Sequence, residues 1–310
     1  PVSPNVIKFT LLGLIVGMLI AVLVIFILDI ADNTIKDSDE LSEKYDKAII
    51  GEIPSFSGSK KKSDSEKHRT ILEQEIPFHI VENYKSMRTN IVFSLSTSEK
   101  KIFAVSSADP GEGKSTTSSN IAIALAQAEH KVLLIDADMR KPVQHKIFKV
   151  KNKNGLSNVI GKMVTAEQSI NRNIVKNLDL LTAGPKPPNP SELLASEQAE
   201  RILKELSDKY DYIIVDTPPV NVVSDVMGMS KSLAGILLVV KYGNTTFDET
   251  EKAVKKIQLS EMNMLGFIIN DISGRRHGGG YYRYKDKYSY SGYGYGNEES
   301  DKKKEKKNED

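Results

Sequence analysis

Residues 106–117 read SSADPGEGKSTT, a glycine-rich turn between an apolar run at 101–106 and a stretch, STTSSNIAIALAQAE at 115–129, that places Ile121, Leu125 and Ala128 at helical spacing. Strand, loop and helix in that order are the context that gives a phosphate-binding loop its meaning. The turn ends in Gly113-Lys114-Ser115. In such a loop backbone N–H groups cradle phosphates, the lysine reaches the β and γ oxygens and the serine hydroxyl meets Mg²⁺. Asp109, Pro110, Gly111, Glu112, Gly113, Lys114, Ser115 and Thr116 are therefore the candidate nucleotide contacts. One departure stands out: Ala108 occupies the place of the usual first glycine, and Pro110 and Gly111 compensate by fixing one φ and freeing the next.

Downstream, KVLLI at 131–135 is a continuous apolar run of the kind a strand needs when both its faces are buried. It ends in Asp136-Ala137-Asp138. A second run, YIIV at 212–215, ends in Asp216-Thr217-Pro218-Pro219, and further strands are expected at 235–240 and 265–270. Helices are expected at 79–96, 197–207, 224–231 and 248–260, and PKPPNP at 185–190 reads as an exposed loop. Strands alternating with helices give an α/β fold, a doubly wound and mainly parallel sheet of P-loop NTPase type, over residues 78–272. Such sheets bind ligands beyond the carboxyl ends of their strands, so Asp136, Asp138 and Asp216 are expected beside the phosphate loop, grouped around Mg²⁺.

Three appendages surround this domain. Residues 9–28 carry no charge, which predicts a membrane-spanning helix within 1–30 that contains Gly13-x-x-x-Gly17. Lys8 lies before it and Lys36, Lys44 and Lys47 after it, and the nucleotide site puts the residues beyond the helix on the cytoplasmic side. The opening Pro1-Val2-Ser3-Pro4, without an initiator Met, reads as cut from something longer. Residues 31–77, acidic and then basic with Lys60-Lys61-Lys62, read as a mostly flexible juxtamembrane linker. Residues 273–310 read as a disordered tail that holds seven of the chain's twelve tyrosines: Tyr281, Tyr282, Tyr284, Tyr288, Tyr290, Tyr293 and Tyr295.

Composition excludes some classes. A chain of 310 residues with no cysteine is not a disulfide scaffold. A net charge of +2 supplies no general basic footprint, so no nucleic-acid partner is expected.

ADPGEGKST, VLLIDADMRKP and YIIVDTPP, in that order, resemble the Walker A, Walker A′ and Walker B motifs of the bacterial protein-tyrosine kinases of capsular and exopolysaccharide synthesis. The tyrosine-rich tail is similar to theirs. Glu82-x-x-Lys85-x-x-Arg88 resembles a segment associated in that family with packing of subunits into a ring, and the membrane helix with its flanks resembles the last segment of polysaccharide co-polymerases. The resemblance implies a tyrosine autokinase using ATP and Mg²⁺. Lys114 would contact the β/γ phosphates, Ser115 would ligate the metal, and Asp136, Asp138 and Asp216 would share metal binding and activation of the acceptor hydroxyl, with the division among them open. Arg140 and Asn270 are further nucleotide candidates, the first toward phosphate or a neighbouring subunit and the second toward adenine. The implied partners are a homo-oligomeric ring, the polysaccharide co-polymerase and polymerase machinery, a tyrosine phosphatase and exogenous protein substrates, at the bacterial plasma membrane. Two other readings remain open here: a membrane-associated partition or positioning ATPase, and a non-catalytic scaffold. The first usually carries a lysine where this chain has Asp109.

Overall fold

The computed structural model describes residues 6–56, 69–73, 76–99 and 101–272. The chain begins with α1 (Val6–Ala31), α2 (Ser38–Tyr45), β1 (Ile49–Pro54) and α3 (Phe78–Ser94). The phosphate loop then joins β2 (Ile102–Ser107) to α4 (Lys114–Gln127), and β3 (Val132–Asp136) follows. Short helices α5 (Gln144–Ile147), α6 (Leu156–Ile160) and α7 (Ala166–Ser169) lead to the hairpin of β4 (Ile170–Val175) and β5 (Leu178–Leu181). After α8 (Pro190–Leu194), α9 (Glu197–Ser207) and β6 (Tyr212–Asp216) comes a 3₁₀ helix (Asp225–Ser232). The described fold closes with β7 (Gly235–Lys241), α10 (Phe247–Leu259) and β8 (Met264–Ile272).

The eight strands form one sheet in the order β1-β8-β7-β2-β6-β3-β5-β4, parallel throughout except for the β4–β5 hairpin at one edge. Strand pleating sends alternate side chains to opposite faces. Ile102 and Ala104 join Leu133, Ile135, Ile213 and Val215 in one apolar layer, which Leu41, Leu194, Ile202 and Val254 complete from the helices. Phe103 and Val105 join Val132, Leu134 and Ile214 in the other, under α3 and α4. With both faces covered, the central strands have no polar side to show, which is why they read as unbroken apolar runs.

Helix α4 is buried at every residue from 117 to 126, so it carries small Ser, Ala and Thr residues instead of a polar face. Within it, Ser118 donates its hydroxyl hydrogen to the carbonyl of Lys114 at 2.7 Å, and the Ser119 hydroxyl lies 2.8 Å from the carbonyl of Ser115. Helix α3 buries Ile80, Tyr84, Met87 and Ile91, which share one face.

The helix expected at 224–231 is a 3₁₀ helix over Asp225–Ser232. One expectation is corrected. The described part of 31–77 is not a flexible linker: Ile35 and Leu41 are fully buried, and β1 pairs in parallel with β8 at the sheet edge. Gly51 lets β1 lie against α3, because a Cβ there would come within 2.5 Å of the Met87 side chain. Residues 33–35 also pair with the loop after β7, where Ile35 N donates to Thr245 O and Gly243 N to Ile35 O, each at 2.8 Å. The run Lys60-Lys61-Lys62 and the tail from 273 onward lie outside the described residues. Residues 8–27 of α1 are long and apolar enough to cross a membrane, with mean hydropathy 3.0.

Candidate active site

The phosphate loop leaves β2 and enters α4 with its two left-handed residues at Gly111 (φ 90°) and Gly113 (φ 92°). Ala108 has no positive φ and its methyl is fully buried in the core, so the chain does not need glycine there. The loop is braced from three sides. Glu112, 2% exposed, accepts a hydrogen bond from Asp109 N at 3.0 Å and one from the Thr245 hydroxyl. Asn270 Nδ2 donates to Glu112 O at 2.8 Å, and a Cβ on Gly113 would come within 2.1 Å of that nitrogen. Asn221 N donates to Ala108 O at 3.1 Å from the segment after β6. Asn270, read from sequence as an adenine contact, thus spends an amide donor on the loop itself and takes the space that only glycine leaves.

Lys114 opens α4, and its ammonium sits among oxygens: 3.1 Å from Ser115 Oγ, 3.0 Å from Asp138 Oδ2 and 3.4 Å from Asp216 Oδ1. Burial works against the charge of Lys114, but Asp216 and Asp138, with Asp136 behind them, outweigh it and hold the lysine above its ordinary pKa. The parallel register brings Asp136 directly opposite Asp216, since β3 and β6 are neighbours in the sheet.

Asp136 is placed differently from the other two acids. Its Oδ1 accepts from Asp138 N at 3.2 Å, and its Oδ2 accepts from Val143 N and Gln144 N at 3.1 and 3.0 Å. Burial and the adjacent Asp216 raise Asp136 well above the usual carboxylate range despite these bonds. The division among the three acids, open in the sequence, has this geometry: Asp138 and Asp216 reach the lysine, while Asp136 accepts from the backbone of the turn that follows β3.

Arg140, read from sequence as a phosphate or subunit contact, is tied elsewhere. It donates from Nε and Nη2 to Asp225 at 2.9 and 3.1 Å and from Nη2 to Ser191 at 3.1 Å. On α3, Glu82 and Lys85 pair with each other at 2.8 Å, and Arg88 donates to Ala124 O at 3.1 Å, so Arg88 joins α3 to α4. The seven tail tyrosines lie outside the described residues. Two buried contributors belong to none of the motifs, Thr245 and Gln144. Thr245 precedes a legible signal, Thr246-x-x-Glu249, the capping box that starts α10. Gln144 carries no sequence signal at all.

The donor set fits a hard divalent cation. Ser115, Asp138 and Asp216 offer only oxygen, and the Lys114 ammonium already bonds to all three as a cation would. Mg²⁺ is held through one or two carboxylates plus phosphate oxygens more than by all-protein cages.

Comparison with known proteins agrees with the fold. A family model described as an AAA domain matches residues 100–265. The putative tyrosine-protein kinase CapB of Staphylococcus aureus is 40% identical over 205 residues, covering 66% of this chain and 90% of its own length. The tyrosine-protein kinase YwqD of Bacillus subtilis is 41% identical over 206 residues, 66% of this chain and 87% of its own. Among solved structures, the kinase domain of the Escherichia coli tyrosine kinase ETK superposes with a TM-score of 0.68 at 31% identity, covering 83% of this chain and 99% of its own. With its phosphate loop, its paired carboxylates and these relatives, the chain belongs to the bacterial tyrosine-protein kinases.

Proposed function

We propose that this chain is an ATP-dependent tyrosine autokinase that transfers the γ-phosphoryl group to Tyr281, Tyr282, Tyr284, Tyr288, Tyr290, Tyr293 and Tyr295, and that the transfer passes between subunits of a ring. The observation that carries the reading is the Lys114 ammonium held between Asp138 and Asp216 at the mouth of a braced phosphate loop. Phosphoryl transfer asks for positioning and charge neutralisation, and this site supplies both.

In the reaction the phenol oxygen bonds to the γ-phosphorus as the bond to the bridging oxygen of ADP breaks. Loop N–H groups orient the phosphates, and Lys114 is close enough to exchange its carboxylate partners for phosphate oxygens. Ser115, Asp138 and Asp216 would hold Mg²⁺, which supplies neutralisation of the charge on the departing ADP. The phenol proton passes to the carboxylate cluster, where burial and Asp216 raise the proton affinity of Asp136.

α1 anchors the enzyme in the bacterial plasma membrane with the kinase domain on the cytoplasmic side, where ATP is. The reading extends to control of capsular or exopolysaccharide polymerisation and export with a co-polymerase and polymerase, to reversal by a tyrosine phosphatase and to exogenous protein substrates. Glu82 and Lys85, exposed in part on α3, support its use as a ring contact. Incubating the chain with γ-labelled ATP and Mg²⁺ and mapping the label tests the reading. Phosphotyrosine in the tail is expected; release of free phosphate alone would mark a switch ATPase, and neither product a scaffold.

A further inference from the structure

Gln144, the first residue of α5, is fully buried, and both donors and the oxygen of its amide are used. Oε1 accepts from Ser119 Oγ at 2.7 Å, while Nε2 donates to Ser115 O at 3.0 Å and to Asp216 Oδ2 at 2.8 Å. Its backbone N–H donates to Asp136 at 3.0 Å. One residue therefore touches the first turn of α4 and the carboxylates that end β3 and β6. The orientation of the amide is set by its partners. Turned over, it would aim its oxygen at a carbonyl and a carboxylate, two acceptors, whereas the observed orientation aims the NH₂ at both.

We propose that Gln144 is a positioning residue for magnesium-dependent nucleotide binding, acting through Asp216. The argument rests on the carboxylate's two oxygens. Asp216 is fully buried, and its Oδ1 faces the Lys114 ammonium and the Ser118 hydroxyl, each at 3.4 Å. Oδ2 has its short bond from Gln144. Holding Oδ2 fixes the rotation of the carboxylate and keeps Oδ1 turned toward Lys114 and Ser115, where the cation belongs. Without that bond the buried Oδ2 loses a donor, and the whole group is free to turn toward the lysine. The bond from Nε2 to Ser115 O adds a second constraint, because it ties the backbone of the residue that carries the metal-binding hydroxyl to the same amide.

The inference rests on the magnesium reading of the site, and calorimetric titration of the full-length chain in detergent with ADP, in EDTA and in MgCl₂, separates the two. In the wild type magnesium should tighten ADP binding, and Asp216→Ala should lose that gain. Gln144→Met should shrink the gain by about 10- to 100-fold, as loss of a partner of a metal ligand does. Its affinity for ADP in EDTA should stay within about twofold of wild type, and Gln144→Met added to Asp216→Ala should change nothing more than about twofold. Ser119→Ala removes the bond from α4 to Gln144 without touching Asp216 and should keep the gain. Should Gln144→Met fail to fold, Gln144→Glu keeps the size and the acceptor for Ser119 while opposing Asp216 with a second acid, and the same loss is expected. The proposal is overturned if Gln144→Met keeps the wild-type gain, if it weakens ADP equally with and without magnesium, or if its effect multiplies with that of Asp216→Ala. A wild type that binds ADP no better with magnesium overturns the magnesium reading itself; every other outcome concerns Gln144 alone.

Discussion

Thr245 donates its hydroxyl hydrogen to the carboxylate of Glu112, so the loop after β7 is bonded to the phosphate loop. The same Thr245 accepts from Ile35 N through its carbonyl at 2.8 Å, which makes one residue the link between the segment that follows α1 and the phosphate loop. Burial raises the Glu112 pKa from 4.5 to about 7, against the hydrogen bonds from Thr245 and Asp109 that favour its charge. An acid whose pKa is raised on folding binds its proton more tightly in the folded state. Its contribution is fully present below pH 4.5 and is lost as pH rises toward about 7, a loss of about 3 kcal/mol in all. Glu112→Gln keeps an acceptor for Asp109 N and offers an N–H to Thr245. The variant should melt above the wild type at pH 8, and the two should converge near pH 4.5; parallel melting curves across that range would contradict the assignment.

Residues 32–56 belong to the fold, and that separates two truncations. Removing residues 1–31 takes away the apolar helix and should leave nucleotide binding intact in a soluble fragment. Removing residues 1–56 also strips Ile35, Leu41, Ile50 and Ile53 from the core and bares the edge of β8. Each buried aliphatic side chain contributes roughly 1.5–3 kcal/mol, so four together approach the whole net stability of a domain, about 5–15 kcal/mol. Circular dichroism and sedimentation should find the first fragment folded and the second unfolded or aggregated. A folded second fragment would show that β1 is dispensable.

The parts of this fold that were legible in the sequence are those where one physical demand dominates the pattern. β2, β3 and β6 are buried on both faces and read as apolar runs, and the loop at 106–117 carries its own spacing. β1 was hidden because an edge strand buries only Ile50 and Ile53, between acidic and basic surroundings that resemble a linker. The β4–β5 hairpin was hidden for a similar reason: Arg172 and Asn173 face solvent, and the turn relies on Asn177 with positive φ. Within the site, strand-end position revealed that Asp136, Asp138 and Asp216 would meet. It did not reveal their division of labour, because that depends on which backbone N–H groups and which amide the turn at 138–144 delivers to each oxygen.

Lys114→Met tests the charge balance of the cluster together with catalysis. The variant removes the phosphate contact, so tail phosphotyrosine should disappear. It also leaves Asp138 and Asp216 facing each other without the ammonium, so the ligand-free variant should melt lower than the wild type. Mg²⁺ alone should then raise the melting temperature of the variant more than that of the wild type, since the cation takes over the place of the ammonium. Equal shifts in the two proteins would mean that the lysine and the metal do not share these oxygens.

Arg140 distinguishes a structural ion pair from a phosphate contact. Asp225 is fully buried and receives two N–H bonds from Arg140, with the Ser191 hydroxyl as its further partner. Truncating the arginine leaves a buried carboxylate with its charge uncompensated. A fully buried pair would lose about 3–5 kcal/mol, but the Arg140 side chain is 37% exposed, which reduces the expected cost to about 2 kcal/mol. Arg140→Ala should therefore lower the melting temperature while leaving the ATP dissociation constant within about twofold of wild type. Replacing the acid as well, in Arg140→Ala with Asp225→Asn, removes the stranded charge and should recover much of the loss. If ATP affinity drops instead while the melting temperature holds, Arg140 leaves Asp225 when nucleotide binds and serves the phosphates after all.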